Sequence, residues 1–149
     1  MAIPVFTAEA MQQFEDAKSE EGKMIDLIYK KYEEMDKFLV ENERFEVLTL
    51  ITAGGYIEGM HLALSLIQTE DFKDEAKFVM EQKATLANLQ SILSDFEGYN
   101  DYISNINNSF NGLSEAFKGV DFDKAMDDDY LGDLKAAVLA LREKLIADT

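Results

Sequence analysis

From Thr7 onward, apolar side chains recur at spacings of three and four, and period-two alternation is scarce. That is the pattern of amphipathic helices. The first helix reads from Thr7 as N-cap, with Glu9 in its first turn. Its stripe is Met11, Phe14, Ala17, Met24/Ile25, Ile28, Tyr32, Met35 and Phe38/Leu39. Unbroken, it would run about 32 residues and roughly 48 Å. Gly22 and the polar run Lys18-Ser19-Glu20-Glu21 are where it could break. A second helix reads from Asn42 as N-cap to about Gln68, apolar over most of its circumference. Such a helix belongs at the centre of a bundle. A third starts between Thr69 and Asp71, carries Phe72, Ala76, Val79, Leu86, Leu89, Leu93 and Phe96, and meets Gly98. A fourth segment carries Tyr99, Tyr102/Ile103, Ile106, Phe110, Leu113 and Phe117, but Asn105, Asn107, Asn108, Asn111 and Gly112 lower its intrinsic helicity, so packing must hold it. An acidic loop over Gly119–Asp129 precedes a last helix from about Tyr130 to Ala147, with Leu131, Leu134, Val138, Leu141 and Leu145 on one face.

The single proline is Pro4, so no proline interrupts a helix after it. A chain of 149 residues is the size of one domain, here 1–149 with residues 1–7 as a flexible N-terminal tail. Short connections make successive helices antiparallel neighbours. The expected fold is therefore all-α, an antiparallel up-and-down bundle of four to five helices with the second at its centre.

Charge and composition then narrow the chemistry. Thirty acids against 14 bases give a net charge of −16. Nucleic acid and anionic membranes are polyanions whose binders cluster Lys and Arg, so neither is an expected partner. The absence of Cys removes disulfides, thiolate metal sites and thiol nucleophiles. No transmembrane segment is expected: the most apolar stretch, Leu48–Ile67, contains Glu58 and His61 and reads as a buried helix. The start of the chain lacks the basic and long apolar regions of a signal peptide.

Glu58 and His61 are the strongest candidate site. Three apart on a helix, they face the same way. Di-metal bundles use this Glu-x-x-His spacing, but twice, and His61 is the only histidine. What remains is a ligand site, a mononuclear metal site borrowing carboxylates from other helices, or a structural polar pair. Ser65 extends the row to the residue types of a hydrolytic triad, but three side chains stacked along one helix do not converge. Gly55, Gly59 and Ala63 recur every four residues on the same helix, which suggests close helix crossing or, less simply, space for a pocket. Asp121, Asp123, Asp127, Asp128, Asp129 and Asp133 invite a calcium reading, yet neither register offers the Gly and Glu of an EF-hand loop. Phosphate-cradling glycine motifs are absent. No cofactor and no catalytic residue are expected.

The segment Ala53-Gly54-Gly55-Tyr56-Ile57-Glu58-Gly59-Met60-His61-Leu62-Ala63 resembles a pattern shared by uncharacterised helical-bundle proteins of the bacterial envelope, many of them predicted lipoproteins. Tyr56 stands at that pattern's Trp-like position, and no lipid-attachment Cys is present, so an anchor would have to lie in a removed leader. The resemblance implies an all-α fold and a periplasmic or envelope location; without it the location reads as cytoplasmic. It brings no activity. The expectation is a non-enzymatic binding or interaction module whose partner is a protein or small molecule. The alternative is a bundle holding a metal or small ligand near Glu58 and His61; a hydrolytic or redox enzyme comes third. Oligomeric state is left open.

Overall fold

The computed structural model describes residues 7–67, 73–99, 101–118 and 128–147. Among them lie six helices and no strand: α1 (Ala8–Ala17), α2 (Glu21–Glu41), α3 (Phe45–Leu66), α4 (Lys73–Asp95), α5 (Asp101–Lys118) and α6 (Asp128–Ala147). The all-α class holds. By internal packing the chain divides into two compact units, Met1–Leu48 and Thr49–Thr149, where the sequence reads as one domain.

In the first unit, Thr7 caps α1 as expected. Its backbone is extended and its hydroxyl accepts from the Ala10 N–H at 3.1 Å. The long first helix, however, is two helices. The Lys18 N–H donates to Glu15 O and the Glu20 N–H to Ala17 O, closing α1 tightly, and Glu20 in extended conformation begins α2. The break falls in Lys18-Ser19-Glu20, which offers no apolar side chain to hold a helix through it, and Gly22 sits harmlessly in the first turn of α2. This break raises the helix count from five to six. The helices α1 and α2 pack together, and the buried residues of this unit's helices are Ala10 and Ala17 of α1 and Met35 and Leu39 of α2.

Asn42, expected to open the next helix, instead closes α2. Its side-chain amide donates to Phe38 O at 2.7 Å. Glu43 follows with φ of 53°, the one described non-glycine residue in left-handed conformation. Its N–H donates to Val40 O at 3.1 Å and the Arg44 N–H to Leu39 O at 2.8 Å. These two bonds form a Schellman motif, normally built on glycine at the left-handed position. Asn suits either end of a helix, and here the unpaired carbonyls of α2 claimed it.

In the second unit, one core joins Ala53, Ile57, Met60, Leu64 and Ile67 to Val79, Leu86, Leu89 and Leu93 of α4 and to the apolar stripes of α5 and α6. The stripe read for the last helix is the one that packs: Leu131, Leu134, Val138 and Leu141 are buried, with Leu145 against them. The asparagine-rich segment is a full helix, held by Ile103, Ile106, Phe110, Leu113 and Phe117, all buried. Packing overrides its poor propensity. It is α5, and not α3, that packs closely against two neighbours, α4 and α6. The helix α3 buries a stripe, Thr49, Ala53, Ile57, Met60 and Leu64, while Leu62 and Leu66 stay exposed. Residues 1–6, 119–127 and the connection 68–72 lie outside the described residues, and with them the N-terminal tail and most of the acidic loop. The helix α6 begins at Asp128, two residues before the expected start.

Candidate functional site

The side chains of Glu58 and His61 project from α3 beside its buried stripe. Ile57 and Met60 point into the core, and at 100° per residue their successors turn toward the rim. Glu58 is exposed and His61 half-buried. The carboxylate of Glu58 does not pair with the imidazole. It accepts from Arg142 Nε of α6 at 2.7 Å, with both side chains substantially exposed. A guanidinium is always charged and outcompetes an imidazole for a carboxylate in reach. Glu58 and Arg142 thus form an ion pair linking α3 to α6. Ser65 turns back along its own helix, its hydroxyl donating to His61 O at 2.6 Å. The Glu58-His61-Ser65 row is a helical periodicity and not an assembled site. Among the described residues no three His, Cys, Asp or Glu side chains converge as metal ligands, there or elsewhere.

The small residues part company. Ala63 packs against the core. Gly55 and Gly59 are exposed, and a Cβ built on either meets nothing within 4 Å outside its own helix. Close crossing therefore does not explain these two glycines, because the face of α3 that carries them is open among the described residues. The open face also changes how α3 compares with a membrane helix. Its 22 residues and mean hydropathy of 1.3 make it, among the described residues, the one helix long and apolar enough to cross a bilayer; 28% of that window is buried. The core helix of a soluble protein passes the same length and composition test.

Further polar contacts fasten α3 to its neighbours. Besides Glu58–Arg142, the Tyr56 hydroxyl donates to Gln82 O of α4 at 3.1 Å while its ring lies 6.3 Å from that of Phe110. Burial pushes the Tyr56 phenol well above its ordinary range. Lys135 of α6 donates to Ile67 O at 3.1 Å, placing a cation on an unpaired carbonyl at the C-terminal end of α3.

Two features went unread in the sequence. The first is a polar seam between α4 and α5. Gln90 Nε2 donates to Asn111 Oδ1 at 3.1 Å, and Ser114 Oγ donates to Gln90 Oε1 at 2.5 Å. Asn107 Nδ2 lies 3.0 Å from Ser94 Oγ and 2.6 Å from Glu97 Oε1, donating to both, and Ser104 Oγ donates to Glu97 O. Asn107 is 8% exposed, and its buried Oδ1 has no hydrogen-bond partner among the described residues. The sequence signal was there, since Ser104, Asn107, Asn111 and Ser114 repeat at three and four beside the apolar stripe, but asparagines read first as helix weakeners.

The second is an exposed apolar face on α2. Of the stripe assigned to α2, the structure buries Met35 and Leu39. Ile25, Ile28, Tyr29 and Tyr32 are 46%, 51%, 69% and 48% exposed. They stand at i, i+3, i+4 and i+7, one side of the helix. Periodicity revealed the face, but not that it would be left open.

Against known protein families, curated proteins and solved structures, the chain matches none.

Proposed function

We propose that the chain is a non-enzymatic interaction protein that engages a partner through the N-terminal half of α2. The observation that carries this is the open face Ile25-Ile28-Tyr29-Tyr32. Contiguous exposed apolar surface is costly to leave in water, and where it persists it commonly serves recognition. Anchors at i, i+3, i+4 and i+7 are what a helix lays into an apolar groove, and tyrosine is favoured at such contacts. The partner is proposed to be a protein. The acidity of the chain and the weak ligand geometry at Glu58 and His61 support this over nucleic acid, metal or cofactor. The second unit is proposed to be an antiparallel, up-and-down bundle serving as scaffold, and the resemblance over Ala53–Ala63 supports an envelope location.

Site-specific photo-crosslinking tests the reading. A photoreactive residue replaces Tyr29 in one variant and the exposed Lys30, off the face, in another. Irradiation of producing cells should give a discrete adduct from position 29 and none from 30. Introducing Ile25→Glu and Ile28→Glu should abolish it. Equal labelling from both positions, or no adduct from 29, refutes the proposal.

A further inference from the structure

The apolar stripes of α4 and α5 do not by themselves define how the two helices align. Val79, Leu86 and Leu93 of α4 are seven residues apart and all buried. On α5, Ile103, Phe110 and Phe117 are likewise seven apart, and Ile106 and Leu113 repeat the same interval. Sliding one helix along the other by seven residues, with a turn rewound at the connection, sets these residues on apolar positions again, and of the α4 core Leu89 alone gives way to a polar residue, Gln82. Such a heptad-repeating seam is nearly degenerate in register. The polar seam beside it is not. Seven residues before Ser94 stands Ala87, and seven before Gln90 stands Lys83. The slide that brings Asn107 opposite Ala87 removes its Ser94 acceptor and puts the Gln90 amide where the Glu97 carboxylate had been.

We infer that the Gln90-Ser94-Glu97/Asn107-Asn111-Ser114 seam is a register lock, selecting between two alignments of α4 and α5 that nearly the same apolar residues would support. Asn107 is its central element. It is nearly fully buried, spends its amide hydrogens on Ser94 of α4 at 3.0 Å and on Glu97 just beyond that helix at 2.6 Å, and its own carbonyl oxygen finds no partner among the described residues. A side chain chosen for stability alone would be leucine. A buried polar group kept at such a position fits a role in specifying alignment. The lock acts on the scaffold, so it stands or falls apart from the α2 interaction face.

The chain has no Cys, so two engineered cysteines accept spin labels selectively. Ala84 on α4 and Asn105 on α5 are exposed, outside the seam and staggered along the helices. A slide of seven residues moves one label by about 10 Å along the axis. Ala84→Cys/Asn105→Cys should give one narrow distance by electron–electron resonance. Adding Asn107→Leu should retain helical circular dichroism and introduce a second population displaced by up to about 10 Å; adding Ser94→Ala and Gln90→Leu should enlarge it. A single unchanged distance in the Asn107→Leu protein overturns the inference. So does loss of helical signal in Asn107→Leu itself, since the seam would then supply stability and not alignment. If only the triple variant unfolds, the single variant decides.

Discussion

Glu43 offers the sharpest stability prediction, because its conformation is at odds with its side chain. With φ of 53° it carries a Cβ where the α2 terminus demands left-handed backbone. For an L-residue that conformation costs about 1–2 kcal/mol. Glycine escapes the clash but loses more freedom on folding, by roughly 0.5–1 kcal/mol. The difference makes Glu43→Gly stabilising by about 0.5–1 kcal/mol. Charge changes the sum little: losing an anion helps the C-terminus of α2 and harms the N-terminus of α3 by similar amounts, each about 0.3–1 kcal/mol. The two Schellman bonds, Glu43 N–H to Val40 O and Arg44 N–H to Leu39 O, use backbone atoms that the substitution keeps. Urea denaturation measures the effect as a rise in midpoint at unchanged slope. Glu43→Ala is the control, since it removes the same charge and retains the Cβ. Equal stabilisation by alanine would assign the gain to charge, and destabilisation by glycine would show that the left-handed turn is not the resting conformation; either refutes the reasoning.

Other substitutions follow from the same geometry. Gly55→Ala and Gly59→Ala should each stabilise by about 0.5–1 kcal/mol, since helix propensity improves and the added Cβ meets open space; a thermal melt that falls would mean the face is closed. Arg142→Gln should lower the unfolding free energy read from urea denaturation by less than about 1 kcal/mol, because water reaches both partners of the Glu58 pair. Lys135→Met should cost about 1 kcal/mol and speed amide exchange in the last turn of α3. Burial pushes the Tyr130 phenol up to about 12 from 10.0. An acid with a raised folded value stays neutral in the native chain while the unfolded chain ionises, so this contribution is intact below pH 10 and is lost as pH rises from 10 to 12. Tyr130→Phe should flatten that part of the stability–pH profile.

Features set by local chemistry were legible in the sequence. Thr7 is read as a cap because its hydroxyl satisfies an amide three residues on, and the α6 stripe is read because all its members face one core. What was not legible depends on who stands opposite. Asn42 has chemistry for either helix end, and only the neighbouring carbonyls decide. Glu58 and His61 share a face of α3, yet Arg142, 84 residues away in sequence, takes the carboxylate. Gly55 and Gly59 have the spacing of a close crossing without a helix described against them. The stripe of α2 has the same periodicity at Ile25 as at Leu39, though one is exposed and the other buried. Periodicity reports that a face is apolar and is silent on what covers it.

That silence makes the α2 face the point to measure. The double substitution Ile25→Glu/Ile28→Glu places two charges on it. If the face is open for a partner, each is an ordinary surface change of about 0.5 kcal/mol or less, and the isolated chain should melt within about 3 °C of wild type. If the face is core, two buried unpaired carboxylates would cost several kcal/mol, and a fall of about 8 °C or more would contradict the account.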